Sequence, residues 1–167
     1  MTEEASRDWQ LRTFRSGDVG LIGARQAALY AEEWGWGQPL EAIIYDIAAR
    51  FLRDFKSGRE QCWVAERNGR ILGGVFLVEE PDEPDTARLR LLYVEPEARG
   101  LGVGSALVRQ CTGFAREAGY KRIVLWTHAV LHSARRIYQA EGYAITGTEE
   151  QHEFGKPELS EFWLLEL

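Results

Sequence analysis

The chain has 167 residues, a formal net charge of −6, and 45% hydrophobic and 28% charged residues. That size and mix fit one globular domain whose core needs no disulfide or metal staple. The acidic balance argues against a nucleic-acid surface, and no apolar run is long enough to span a membrane.

The polar start Met1-Thr2-Glu3-Glu4-Ala5 lacks the basic and apolar stretches of a secretory leader, so a cytoplasmic location is expected. Residues 1–9 read as a tail and residues 10–167 as one domain. Residues 10–15 suit a short strand. Ser16-Gly17-Asp18 offers a helix start with a side-chain cap, and a helix is predicted over 19–33. Trp34-Gly35-Trp36-Gly37-Gln38-Pro39 breaks it. Leu40, Ile43, Ile44, Ile47, Ala48, Phe51, Leu52 and Phe55 then form one stripe at the 3.6-residue period, and Gly58 is the stop.

The pattern changes to strands at 61–67 and 70–80. They are joined by Asn68-Gly69, where both central positions tolerate positive φ. An acidic, proline-containing loop at 81–85 leads to a third run, 86–94, closed by Pro96. A helix is predicted over 102–118, a buried strand over 122–127, a helix over 133–141, and strands over 143–149 and 159–167. The order β-α-α-β-β-β-α-β-α-β-β implies an α/β (α+β) domain, with a mixed sheet and helices on both faces. Cys62 and Cys111, the two cysteines, fall inside apolar periodic segments and are expected to be buried free thiols. His128, His132 and His152 are not spaced as metal ligands, and no metal is expected. His128 reads as a loop histidine, His132 as part of a helix start and His152 as part of a loop.

Most information lies in the run Leu91-Leu92-Tyr93-Val94-Glu95-Pro96-Glu97-Ala98-Arg99-Gly100-Leu101-Gly102-Val103-Gly104-Ser105. A strand enters a loop with alternating glycines, and a helix follows at once. Helix starts carry unpaired N–H groups at the positive end of the dipole, and glycine lets a bulky anion approach. Arg99 adds a fixed cation suited to phosphate. The spacing fits neither G-x-G-x-x-G nor the P-loop, since no lysine precedes Ser105. A tight turn without a ligand is the plain alternative.

Arg99-x-x-Gly102-x-Gly104, after Leu92-Tyr93-Val94-Glu95-Pro96, resembles the pyrophosphate-binding motif of the GNAT superfamily of acyl-CoA N-acyltransferases. The element order is similar to that fold, with a sheet splayed between strands 4 and 5. Tyr30-Ala31-Glu32-Glu33-Trp34-Gly35-Trp36, Leu125-Trp126-Thr127, Ala134-Arg135-Arg136-Ile137-Tyr138 and Phe154-Gly155-Lys156 resemble the acetyltransferase half of bacterial MarR–GNAT fusions.

The resemblance implies acetyl-CoA as co-substrate, without a metal, and direct transfer to a small amine or amino-acid-like acceptor. A non-catalytic acyl-CoA-binding sensor is the alternative. The amides of Gly100, Leu101, Gly102, Val103, Gly104 and Ser105 would hold the pyrophosphate beside Arg99, and the main chain around Leu92, Tyr93 and Val94 the pantetheine. Tyr138 matches the family's tyrosine beside the CoA sulfur, a general acid. Leu131 stands where many members have asparagine. Glu33 is the candidate base. Glu32, Glu33, Trp36, Trp126 and Thr127 are candidates for the acceptor side, where the two carboxylates favour a cationic amine. Neither nucleic acid nor membrane is expected as a partner; a homodimer through the C-terminal strands is.

Overall fold

The computed structural model describes residues 7–167. Seven strands and four helices follow the predicted order. They are β1 (Gln10–Thr13), α1 (Asp18–Trp34), α2 (Gln38–Arg53), β2 (Gln61–Arg67), β3 (Arg70–Glu80), β4 (Glu83–Val94), α3 (Val103–Glu117), β5 (Arg122–His128), α4 (His132–Glu141), β6 (Ala144–Gln151) and β7 (Glu158–Glu166). One sheet holds all seven strands in the order β1-β2-β3-β4-β5-β7-β6. Neighbours are antiparallel except β4 and β5, which run parallel.

Side-chain alternation on the strands feeds two cores. Val75 and Leu77 of β3, Ala87 and Leu89 of β4, and Ile123 and Leu125 of β5 meet α3 through Val103, Leu107, Val108 and Cys111. The opposite face presents Cys62, Val64, Phe76 and Tyr93 to Val19, Ile22 and Leu29 of α1 and to Ala48 and Phe51 of α2. Both cysteines are buried and free. Leu40, Ile44, Ala48 and Phe51 are the buried stripe of α2. Full burial of each large apolar side chain contributes about 1.5–3 kcal/mol, so packing rather than propensity fixes this helix.

Four sequence expectations shift. Helix α2 ends at Arg53, and Phe55 lies beyond it, packed edge-on against Phe14 and Phe51 with centroids 5.5 and 5.3 Å away. No side chain caps α1. Its N-cap is Gly17, and the Asp18 carboxylate instead accepts from the Arg15 amide at 2.6 Å and the Arg12 guanidinium at 2.7 Å. The segment 81–85 is mostly strand, because β4 begins at Glu83 and Asp82 takes the turn at φ 62°. Of the stretch taken as a tail, residues 1–6 lie outside the described residues, and Trp9 is buried in the core. The Asn68-Gly69 turn has φ of 52° and 78°, as a two-residue hairpin requires.

Candidate active site

The loop between β4 and α3 is built as its glycines allow. Pro96–Ala98 form one 3-10 turn, and Gly100 and Gly102 take φ of 83° and 82°. Gly102 is the N-cap of α3. An L side chain in that left-handed region costs about 1–2 kcal/mol, which glycine avoids. The chain therefore turns sharply and aims its amides outward. Among the described residues, the N–H groups of Gly100, Gly102, Val103, Gly104 and Ser105 donate to no acceptor, whereas Leu101 donates to the Ala98 carbonyl at 3.2 Å. Gly104 also allows close packing: a Cβ there would stand 2.7 Å from Ile137 Cδ1 of α4.

Beside this loop the sheet opens. β4 pairs with β5 only from Thr86 to Arg88, against Arg122 to Val124. Beyond that point the β5-facing edge of β4 has no strand partner. The cause is a bulge: Leu91 and Leu92 together oppose Val75, and Leu91 has φ of 52°. A bulge bends its strand and increases local twist, which turns β4 away from β5. A leucine at positive φ is strained, and such strain concentrates at functional sites.

A cavity of about 660 Å³ fills the opening. Its walls are the loop residues Arg99, Gly100, Gly102, Val103, Gly104 and Ser105, the strand residues Leu92, Tyr93 and Val94, and Gln26, Tyr30, Glu33 and Trp34 of α1. Leu131, Ala134, Ile137 and Ala140 close it from α4 and the turn before it. Arg99 Nη2 pairs with Glu33 Oε1 across the mouth. Gln26 donates to the Leu92 carbonyl oxygen and to the Tyr30 hydroxyl, both at 3.3 Å.

The acetyltransferase (GNAT) family model matches residues 24–143. The chain belongs to this family. It is 32% identical over 117 residues to N-acetyltransferase 8 of Homo sapiens, covering 67% of this chain and 51% of that protein. It is 31% identical over 114 residues to N-acetylaspartate synthetase of Danio rerio, covering 68% of this chain and 39% of that protein. The chain thus spans about half the length of the first of these relatives or less. Its fold is that of ribosomal-protein-alanine N-acetyltransferase from Brucella melitensis, with TM-score 0.76, 22% identity and coverage of 95% and 99%. A Salmonella typhimurium protein solved with its cofactor acetyl-CoA matches at TM-score 0.74, with 19% identity and coverage of 96% and 95%.

In this GNAT domain the candidate residues divide clearly. All the candidates on the loop and strand line the cavity except Leu101, which is exposed. Tyr138 is not on the wall of this cavity; it follows the cavity-lining Ile137 and is buried, with its ring 5.7 Å from Tyr143 and 6.1 Å from Trp163. Its hydroxyl has no hydrogen-bond partner among the described residues. Burial, then the nearby Tyr30 and Cys111, push that hydroxyl well above its usual 10, so it keeps its proton at neutral pH.

The acceptor-side candidates fare differently. Glu33 is on the cavity wall but tied to Arg99, and Glu32 is exposed outside it. Trp36 is 1% exposed, donates to Glu158 Oε1 at 2.9 Å and lies on the wall of neither this cavity nor the smaller one beside Trp126, so it packs in the core. Trp126 borders a second, smaller cavity, and Thr127 is buried.

His128 closes β5 and is not in a loop. Its ring sits within 4.6–5.0 Å of Trp36, Trp126 and Phe154. Burial lowers it to about 4, against the opposing pull of Glu158.

Two residues that shape the site carry no motif signal. Arg25 of α1 forms a two-pronged pair with Glu95, at 2.6 and 2.9 Å, which bolts the helix wall to the end of β4. Gln26 is buried at the joint between α1 and the bulge. Position relative to the β4 opening is what marks them, and only the fold supplies it.

Proposed function

We propose that this chain is an N-acetyltransferase that moves an acetyl group from acetyl-CoA to a primary amine by direct attack. The observation that carries the reading is the set of five unpaired amides at residues 100–105, held at the positive end of α3. Such a nest suits a diphosphate. Arg99 stands beside it for the same anion. The edge of β4 at residues 89–94, which has no strand partner on the β5 side, offers backbone groups to the pantetheine amides, as an added strand would. The cavity, the loop and that edge are continuous, so one elongated molecule can use all three.

The chemistry then follows from the side chains. The amine nitrogen bonds to the thioester carbonyl carbon, and the C–S bond breaks. A backbone N–H at or next to Val94 stabilises the carbonyl oxygen as it gains charge. The departing thiolate takes the proton that Tyr138 keeps. Among the described residues, Glu33 is the one carboxylate on the wall of this cavity. When a diphosphate takes the Arg99 guanidinium, Glu33 is released to accept the amine proton, directly or through water. No covalent enzyme intermediate is needed.

The acceptor on this reading is a small amine or an amino acid rather than a protein. A cationic acceptor finds little negative charge here, because Glu32 lies outside the cavity and Glu33 is paired with Arg99. Among the described residues no helix is long and apolar enough to cross a membrane. β6 is an edge strand with Ile145 exposed, and a homodimer would form there.

The test is thiol release from acetyl-CoA across a panel of amines. Amine-dependent release supports the reading. Acetyl-CoA binding with no release for any amine contradicts it, and leaves a non-catalytic acyl-CoA-binding module, as the resemblance to regulator-fused domains would suggest.

A further inference from the structure

The larger cavity uses one side of the place where β4 and β5 part. A second cavity, of about 230 Å³, opens beside the root of the same opening. Its walls are Arg88 and Arg90 of β4, Trp126 of β5, Ser160 and Phe162 of β7, and residues of β6 and the β6–β7 turn. Arg90 immediately precedes the bulge residue Leu91, and Trp126 packs in the same cluster as Leu91. The second cavity therefore lies where β4 and β5 begin to part, with no lining residue in common with the larger one.

Arg90 is the unusual group in this cavity. Arg88 next to it along the same face is paired with Glu80. Arg90 is only partly exposed, yet among the described residues it donates to no carboxylate or carbonyl. Burial, then Arg88, lowers its proton affinity to about 10, Glu80 opposes, and Arg50 adds to the lowering. A partly desolvated guanidinium without a hydrogen-bonded anion is less well stabilised than one in open water, and an anion that enters the cavity offsets that loss. The guanidinium fork fits a carboxylate with two parallel hydrogen bonds. Glu149 and Glu153 stand on the far wall, toward solvent. They discourage a large polyanion and admit a ligand with one negative end.

We propose that this cavity is the subsite for a carboxylate on the acceptor, with Arg90 as its anchor. The acceptor class is then an amine that carries a carboxylate, such as an amino acid. Its charged end would be held against β4 and its nitrogen turned to the opening past Trp126. This rests on the transferase reading above, but the site itself can be measured without turnover. Arg90 has no bonded partner to lose, and methionine keeps most of its stem, so Arg90→Met is expected to fold as the parent does.

The experiment titrates the CoA-saturated protein with a panel of N-acetyl-L-amino acids and with their neutral carboxamides. Thiol release is followed in parallel, with amino acids and with amines that lack a carboxylate as acceptors. The parent protein is expected to bind the acids about 10- to 100-fold more tightly than the amides, the range for a charged hydrogen-bonded contact. That preference is expected to vanish in Arg90→Met and to survive in part in Arg90→Lys. Equal binding of acid and amide, binding of neither, or a preference that persists in Arg90→Met overturns the proposal. Turnover of carboxylate-free amines as efficient as that of amino acids overturns it too, while leaving the transferase reading standing. An Arg90-dependent preference without any thiol release keeps the site and removes the transferase reading.

Discussion

Replacing Tyr138 by phenylalanine separates catalysis from stability, and both magnitudes follow from the structure. The ring stays, so its packing against Tyr143 and Trp163 is kept. The hydroxyl has no hydrogen-bond partner among the described residues, so the usual net loss of about 1 kcal/mol for a broken hydrogen bond does not apply. Stability should stay within about 1 kcal/mol of the parent, roughly 2–4 °C in Tm for a domain of this size. The rate should behave otherwise. General acid catalysis contributes typically about 10²- to 10⁴-fold. A thiolate of ordinary pKa near 8.5 is already a fair leaving group, so the lower end is expected, about a hundredfold or ~2.7 kcal/mol.

The assay pairs thiol release with thermal melts and an acetyl-CoA titration on the same samples. The expected pattern is a low kcat, an unchanged melt and unchanged acetyl-CoA affinity. The raised proton affinity of Tyr138 adds a pH signature: the parent rate should not fall through loss of this proton below about pH 10. If the variant keeps the parent rate across pH, Tyr138 is not the acid. If its Tm drops by more than about 8 °C, the hydroxyl is structural and the reasoning from its free state is wrong.

The Arg25–Glu95 pair predicts an asymmetry. Arg25→Ala strands a carboxylate that is 6% exposed and should cost about 3 kcal/mol, whereas Glu95→Gln leaves a half-exposed guanidinium that water can reach and should cost about 1. Urea unfolding measures both, and the reverse order would refute the bolt. His128 predicts a pH effect on stability. Its folded pKa of about 4 lies below the ordinary 6.5, so the unfolded chain binds the extra proton first. The stability it supports is complete above pH 6.5 and declines by up to about 3 kcal/mol as pH falls toward 4. In His128→Phe the melting temperature should depend less on pH over that window, and an equal decline in both proteins would contradict the burial argument. Gly102→Ala meets no atom within 4 Å but must hold φ near 82°, so a loss of about 1–2 kcal/mol in thermal melts is expected, and none at all would mean the loop does not need that geometry.

The sequence shows some of this design and hides the rest for physical reasons. Periodicity placed α2 because its stripe is long and buried on one side, but Phe55 extended that stripe past the true end at Arg53. Asn68-Gly69 announced its turn because few residues accept positive φ twice. The bulge at Leu91 gave no such notice, since nothing about a leucine marks it for φ of 52°. Only the pairing with Gly74 and Phe76 imposes it. The glycine loop was legible because each glycine answers a local need. Arg25, Gln26 and Arg90 were not, because their roles depend on partners or cavities formed by strands and helices far apart in the chain. Trp36 shows the opposite error. An aromatic beside acidic residues suggested a binding face, yet folding places it 1% exposed against Phe154 and His128.

Calorimetric titration with acetyl-CoA asks whether the free amides of residues 100–105 and the gap beside β4 hold one ligand. Saturable binding of one molecule per chain is expected, weakening as salt screens the diphosphate contacts. The absence of any heat at millimolar acetyl-CoA would contradict it.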